Sequence, residues 1–120
     1  MKFYYLSTCS TCKRIMNEVE LSENVIKQDI KTTCYTEKDL DEMCHLAGSY
    51  EALFNKRAQK YKALDLKNKN LTEEEIKQYI LSDYTFLKRP VFVDNNVIFI
   101  GNSKKTVCDL KEYLDEFSSK

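Results

Sequence analysis

The chain has 120 residues, with 19 lysine and arginine residues balanced by 19 aspartate and glutamate residues. This length fits one domain with a substantial core, and the zero net charge excludes a general attraction to nucleic acid or anionic membranes. No apolar run approaches the roughly 20 residues that span a bilayer, and the start lacks the apolar segment of a signal peptide. We therefore expect a cytoplasmic protein with no membrane partner and no direct nucleic-acid contact.

The first predicted elements are a strand, an amphipathic helix and a second strand. Residues 2–6 are largely apolar and indicate a buried strand. From Ser10 to about Ser22, the apolar residues recur at the spacing of one helix face; they are Cys12, Ile15, Met16 and Val19. Alternating apolar and polar residues from Val25 to Ile30 predict the second strand.

The middle of the chain is predicted to be helical. Thr36 and Asp39 have the spacing of a capping box, ahead of a helix that ends at Gly48. Thr72 precedes three glutamates and is predicted to open a further helix, because acidic residues complement the dipole of a first turn. The polar stretch 67–70 is predicted to be a surface loop.

Two strands and a helix complete the predicted fold. Strands at 91–93 and 97–100 flank Asp94-Asn95-Asn96, whose residue types tolerate the left-handed turn of a hairpin. After Ser103, a last helix is predicted to bury Val107, Leu110, Leu114 and Phe117. The whole order is that of a thioredoxin-like (glutaredoxin-like) α/β fold, predicted as a single domain over residues 1–120. Its helical insertion covers approximately residues 36–85.

Cys9 and Cys12 form a Cys-Ser-Thr-Cys motif where the first strand passes into the first helix. Unpaired amides and the dipole at a helix N-terminus favour negative charge, so Cys9 can exist as the nucleophilic thiolate. Cys12 can then attack a mixed disulfide formed at Cys9 and resolve it. The alternative is that Cys12 only packs on the inner face of the helix, because it also fits the apolar stripe.

Pro90 is the only proline and directly precedes the strand that starts at Val91. Proline has no amide hydrogen, so it cannot donate to a sheet ladder at this position. Opposite a redox cysteine, a strand-leading proline suggests a cis peptide bond that presents backbone beside the thiol. The alternative is that Pro90 only marks the start of an edge strand.

Three motifs together resemble the arsenate reductase (ArsC)/Spx family. They are Cys9-x-x-Cys12-Lys13-Arg14, Asn55-Lys56-Arg57 with Tyr61-x-x-Leu64, and Lys88-Arg89-Pro90-Val91-Phe92-Val93-Asp94. The motifs occur in the family's order with similar spacing, and the resemblance covers essentially the whole chain. It implies a thioredoxin-like fold in which a four-stranded mixed sheet carries an inserted helical subdomain.

The same resemblance implies a pocket in which arginines surround a nucleophilic cysteine. Cys9 matches the nucleophile, Arg57 and Arg89 match arginines that bind the substrate, and Pro90 matches the family proline beside them. Forked guanidinium groups suit an oxyanion and also lower the pKa of a nearby thiol. Taken alone, either arginine could instead be a solvated surface charge.

The chain departs from the arsenate reductases of this family in three places. Gly101 stands close to the position of a third arginine, for which Lys104 or Lys105 would substitute without the forked geometry. Ser7-Thr8 replaces an Asn-Pro pair before the nucleophile. Cys12 stands where glutathione-dependent members usually have another residue. These departures leave the identity of the substrate open.

We predict a thiol-dependent reductase, an oxidoreductase resembling glutaredoxin- or thioredoxin-linked arsenate reductase. Cys9 would be the nucleophile and Cys12 the resolving thiol, acting on an oxyanion or a disulfide. The enzyme would hold no cofactor and would take electrons from glutathione with glutaredoxin, or from thioredoxin. Two alternatives stay open: a reductase for a substrate other than arsenate, and an Spx-like redox-sensing transcriptional regulator that binds the RNA polymerase α subunit.

The remaining cysteines are interpreted as structural. Cytoplasmic cysteines are usually thiols rather than a disulfide framework, and Cys44 and Cys108 are predicted to be small buried apolar side chains. Cys34, Cys44 and His45, beside the Cys-x-x-Cys motif, could suggest a zinc site, but the second half of the chain has no matching Cys-x-x-Cys or histidine spacing. We therefore predict no metal, and a monomer as the default state of this architecture.

Overall fold

The structure of the protein, a computed structural model, describes residues 2–19, 23 and 25–118, with the backbone alone for residues 117 and 118. Five α-helices and four strands lie in these ranges. In chain order they are β1 (Lys2–Tyr5), α1 (Ser10–Val19), β2 (Ile26–Asp29), α2 (Glu37–Ala47), α3 (Gln59–Ala63), α4 (Glu73–Ser82), β3 (Val91–Asp94), β4 (Val97–Ile100) and α5 (Lys104–Ser118). Three short 3-10 helices cover Glu51–Leu53, Leu66–Asn68 and Tyr84–Phe86.

The chain divides into two compact units. The first unit combines Met1–Thr33 with Arg89–Lys120, and the second is the continuous segment Cys34–Lys88. The second unit therefore enters the chain between β2 and β3, and the helical insertion predicted at about residues 36–85 falls within its span. Whether the chain behaves as a single domain stays a prediction.

The first unit contains the four-stranded sheet, in the order β2-β1-β3-β4. β1 pairs in parallel with β2 and antiparallel with β3, and β3 pairs antiparallel with β4. The sheet is therefore mixed, as predicted. β1 and β3 are the central strands. All four residues of β3 are buried, which explains why the first three of them are apolar without alternation.

The hydrophobic core of this unit is made by side chains of the sheet together with those of α1 and α5. Its buried members are Phe3, Ile15, Val19, Val25, Phe92, Val107, Leu110 and Leu114. The predicted inner faces of both helices are thereby confirmed, although the side chain of Phe117 lies outside the described residues. Because Ile15 and Val19 face this core, the register of α1 is set, and Cys12 on the same stripe is fully buried.

In the second unit, side-chain caps set the helix boundaries at the predicted positions. The Thr36 hydroxyl accepts from the Asp39 amide while the Asp39 carboxylate accepts from the Thr36 amide, and Thr72 and Glu75 form the same reciprocal pair. α2 ends at Gly48, whose φ of 95° lies in the left-handed region that glycine adopts without strain. The unit's aromatic cluster contains Phe54, Tyr61, Tyr79 and Phe86.

Several local predictions were incomplete or wrong. Asp94 belongs to β3, so the hairpin turn has only two residues, and Asn95 adopts a φ of 44°. The five-residue helix α3 was not predicted, because it is too short to show a period. Cys108 is exposed rather than buried, since it lies beside and not on the stripe of α5. The predicted end of α1 near Ser22 lies outside the described residues.

Within the described ranges, no helix is both long and apolar enough to cross a bilayer. The cytoplasmic location stays a prediction.

Candidate active site

Cys9 lies in the turn between β1 and α1, immediately before the first helical residue. Its amide donates to the Leu6 carbonyl at 3.0 Å, which closes the turn, and its own carbonyl accepts from the Lys13 amide at 3.3 Å. Cys9 therefore occupies the capping position of α1, where the helix presents unpaired amide hydrogens. Its side chain is half-buried, so a substrate can still reach the sulfur.

The pKa of Cys9 is lowered below the ordinary thiol value. Partial burial acts in the opposite direction, but it is outweighed by hydrogen bonds from the Cys12 amide and thiol and from the Thr11 amide. The positive charge of Arg89 lowers the pKa further. Amides of a helix N-terminus and a nearby cation are the groups that stabilise a thiolate, so Cys9 has the environment of a nucleophile.

Cys12 behaves in the opposite way. Burial, together with the hydrogen bond and the negative charge of Cys9, raises the pKa of Cys12 to about 11. A backbone hydrogen bond with Leu6 and the charge of Arg89 oppose this rise without overcoming it. The two thiols therefore differ in their environments, because the pKa of Cys9 is lowered while that of Cys12 is raised.

Arg89 and Pro90 lie in the same unit as the two cysteines. The Arg89–Pro90 peptide bond is cis, as the sequence suggested. Pro90 is buried, and its carbonyl accepts from the Gly101 amide at 2.9 Å. Arg89 is half-buried, and its electrostatic effect on both thiols indicates that its positive charge acts at this site.

The other predicted oxyanion ligands are Arg57 and, in place of a third arginine, Lys104 or Lys105. Arg57 is an exposed residue of the second unit, with its amide donating to Asn55 Oδ1 at 3.1 Å, and its role in substrate binding stays a prediction. Gly101 has a φ of 88°, which an arginine would adopt only with strain. The conformation here therefore disfavours the third family arginine. Lys104 and Lys105 are exposed in the first turn of α5.

One carboxylate near this loop was not predicted from the sequence. Asp29, the last residue of β2, accepts from the Ser7 amide at 3.1 Å and from the Lys31 amide at 3.1 Å. Its position at the carboxyl end of a strand next to β1 could have indicated that it lies near this loop, because neighbouring parallel strands have their carboxyl ends at the same edge of a sheet.

In the part of the chain that the structure describes, no group of three or more His, Cys, Asp or Glu side chains is arranged to hold a metal ion. The site contains a pair of thiols and the positive charge of Arg89, which acts on both of them. This arrangement suits two-electron thiol–disulfide chemistry, in which one thiol attacks and the second displaces the product.

Replacing Arg89 by glutamine is expected to raise the pKa of Cys9, because it removes a nearby positive charge. The charge of Arg89 is the smallest of the contributions that shift this pKa, so we expect alkylation of Cys9 by iodoacetamide at neutral pH to slow about two- to threefold. Lys88→Gln removes a neighbouring exposed cation and serves as the matched control. Equal slowing by both variants would show that Arg89 has no specific effect.

The sequence profile of the ArsC family matches residues 4–110 of the chain. The uncharacterized protein YusI of Bacillus subtilis is 25% identical over 113 residues, covering 84% of this chain and 89% of YusI. The solution structure of SACOL0876 from Staphylococcus aureus is 30% identical, covers 90% of this chain and 95% of that one, and superposes with a TM-score of 0.70.

A further similar structure is that of an arsenate reductase from Vibrio cholerae, with 17% identity and a TM-score of 0.75. It covers 92% of this chain and 98% of that one, and at this level of identity the likeness concerns the fold alone. The predicted thioredoxin-like fold is confirmed by these superpositions.

Proposed function

The chain belongs to the ArsC family, and we propose that it is a reductase with Cys9 as the attacking thiolate and Cys12 as the resolving thiol. Membership of this family supports a thiol-dependent oxidoreductase in general. The observation that carries this proposal is the opposite shift of the two thiol pKa values within one motif. Packing alone accounts for much of the raised pKa of Cys12, so the lowered pKa of Cys9 at the N-terminus of α1 is the part that supports a reactive thiol.

The first proposed step is attack by the Cys9 thiolate. With a disulfide substrate, Cys9 Sγ forms a bond to one sulfur, the substrate S–S bond breaks, and one substrate thiolate leaves. With an oxyanion such as arsenate, Cys9 Sγ bonds to the central atom, and one oxygen leaves as water after protonation. Arg89 is proposed to offset negative charge in both cases, and Arg57 is proposed to bind the oxyanion.

The second proposed step is resolution by Cys12. Once Cys9 is bonded to substrate, it has lost its negative charge, so its contribution to the high pKa of Cys12 disappears. Burial still opposes ionisation of Cys12, but Arg89 continues to favour the thiolate. Cys12 releases its proton to solvent and attacks Cys9 Sγ. The bond between Cys9 and the substrate then breaks, and two electrons pass to the departing product.

The product of this sequence is a Cys9–Cys12 disulfide, which an external donor must reduce. We propose glutathione with glutaredoxin, or thioredoxin, as that donor. This order of ionisation prevents Cys12 from attacking first, because Cys12 stays a protonated thiol until Cys9 has reacted. The substrate is proposed to be a disulfide or an oxyanion, with arsenate disfavoured because Gly101 stands close to the position of the family's third arginine.

Cys12→Ser tests the proposed division of roles. With a small disulfide substrate and no added donor, this variant is expected to stop at a stable mixed disulfide on Cys9, visible by mass spectrometry. The wild type is expected to proceed to the Cys9–Cys12 disulfide, with release of both substrate thiols. Cys108→Ser, which removes an exposed thiol on α5, should behave as wild type. If Cys12→Ser released both substrate thiols as the wild type does, Cys12 would only be a packing residue of the core.

Turnover is measured separately, as NADPH oxidation with arsenate and with the disulfide, each supplied with glutathione/glutaredoxin or with thioredoxin and its reductase. Turnover with one substrate identifies the class of reaction. The absence of turnover in all four combinations would contradict the proposed reductase activity. The Spx-like alternative would then be tested by binding of the purified RNA polymerase α subunit to the reduced and the oxidised protein.

A further inference from the structure

A carboxylate oxygen at the end of β2 accepts from the loop that leads from β1 into Cys9. Asp29 Oδ1 accepts from the Ser7 amide and from the Lys31 amide, both at 3.1 Å. These distances lie in the normal range for an N–H···O bond. One oxygen therefore joins the loop before the nucleophile to the loop after β2.

The segment around Ser7 is held at both ends by backbone hydrogen bonds. The Tyr5 carbonyl accepts from the Ile30 amide at 2.9 Å, and the Cys9 amide donates to the Leu6 carbonyl at 3.0 Å. Ser7 lies between these two points, and its amide donates to Asp29 Oδ1. The conformation of this loop determines where Cys9 lies relative to the first amides of α1.

Asp29 is suited to this role because it is an ionised acceptor at neutral pH. Its pKa lies below the usual range, chiefly because of a side-chain hydrogen bond with Ser7, with further lowering by the Ser7 and Lys31 amides and the charge of Lys31. The groups that shift the pKa of Cys9 belong instead to α1 and to Arg89. An effect of Asp29 on Cys9 would therefore act through its hydrogen bond with the Ser7 amide rather than through its charge.

We propose that Asp29 is a positioning residue for the thiol chemistry: its carboxylate holds the Ser7 amide and so places Cys9 Sγ against the Thr11 and Cys12 amides. This inference rests on the proposed role of Cys9 as the nucleophile. It assigns no contact between Asp29 and the substrate.

The test is the pH profile of iodoacetamide alkylation, measured at each cysteine by mass spectrometry, so that no substrate is needed. For Asp29→Ala we expect alkylation of Cys9 at neutral pH to slow about three- to tenfold. The pH at which its rate is half-maximal should rise by about half to one unit. Cys34, an exposed thiol of the second unit, is the internal reference and should not change.

Two further variants separate geometry from charge. Asp29→Asn keeps an acceptor oxygen at the same place without the charge, so Cys9 should stay within about twofold of the wild-type rate. Asp29→Glu keeps the charge but moves the carboxylate by one methylene, so it should slow Cys9 as Asp29→Ala does. Asp29→Glu also supplies the test if Asp29→Ala does not fold.

The outcomes are distinct. If Asp29→Asn lowers the half-maximal pH of Cys9, Asp29 acts by charge, and the positioning role is wrong. If Asp29→Ala and Asp29→Glu lower the urea midpoint but leave the Cys9 profile unchanged, Asp29 is merely structural, and the inference fails again. If wild-type Cys9 is alkylated with the same pH profile as Cys34, the proposed nucleophile itself is wrong, which differs from a failure of Asp29 alone.

Discussion

Cys9→Ser is expected to lower turnover at least about a thousandfold, with either a disulfide or an oxyanion as substrate. A serine hydroxyl is not ionised at neutral pH, so the amides of α1 and Arg89 would have no anion to stabilise. The half-buried position of Cys9 at the start of α1 would be retained, because serine is smaller and is itself a good capping residue. The measurement is NADPH oxidation with the donor system that supports the wild type.

The control for this variant is Cys34→Ser, which replaces an exposed cysteine of the second unit and should keep full activity. Unchanged far-ultraviolet circular dichroism of Cys9→Ser would separate lost chemistry from lost folding. Residual activity within about tenfold of wild type would mean that another thiol attacks the substrate, and the assignment of Cys9 would be wrong.

Phe92→Ala is expected to lower the free energy of unfolding by about 3–5 kcal/mol. Phe92 is completely buried in the central strand β3, opposite Phe3 on β1 and Phe99 on β4. Its ring centroid lies 6.1 Å from that of Phe99 and 6.1 Å from that of Tyr113. Truncation would therefore leave a cavity at the junction of the sheet and α5, and these neighbours have little freedom to fill it.

Urea unfolding, followed by circular dichroism, measures the effect of Phe92→Ala. The matched control is Leu64→Ala, because Leu64 is 47% exposed and its truncation should cost less than about 1 kcal/mol. A loss below about 1 kcal/mol for Phe92→Ala would contradict the packing described for this core.

Much of the candidate site could be predicted because its signals are local. The Cys-Ser-Thr-Cys motif lies between an apolar strand and an amphipathic helix, and that order alone indicates a thiol at a helix N-terminus. The proline before β3 suggested a cis bond for a similarly local reason. Asp29 could not be predicted as a partner of Ser7, because nothing in its own neighbourhood indicates which amide it accepts from. Only the parallel pairing of β1 with β2 brings the two together.

The sequence by itself determined the elements whose causes lie within a few residues. The capping boxes at Thr36 and Thr72, the end of α2 at Gly48 and the inner face of α5 follow from side chains that contact their own helix or repeat along it. Short elements such as α3 escaped prediction because five residues show no period. The extension of β3 to Asp94 escaped it because pairing with β4, not residue type, defines the end of a strand.

The sequence favoured Cys9 as the thiolate, and the tertiary structure added the contacts that separate the pKa values of the two cysteines. Burial and hydrogen bonding depend on contacts between distant parts of the chain. The core packing of α1 buries Cys12 and raises its pKa to about 11, whereas hydrogen bonds from Cys12 and Thr11 lower the pKa of Cys9, with a smaller contribution from the distant Arg89. The motif placed the two thiols at different positions of one helix, and the fold decided how far Cys12 is desolvated and which charge acts on both, because desolvation and charge act through space.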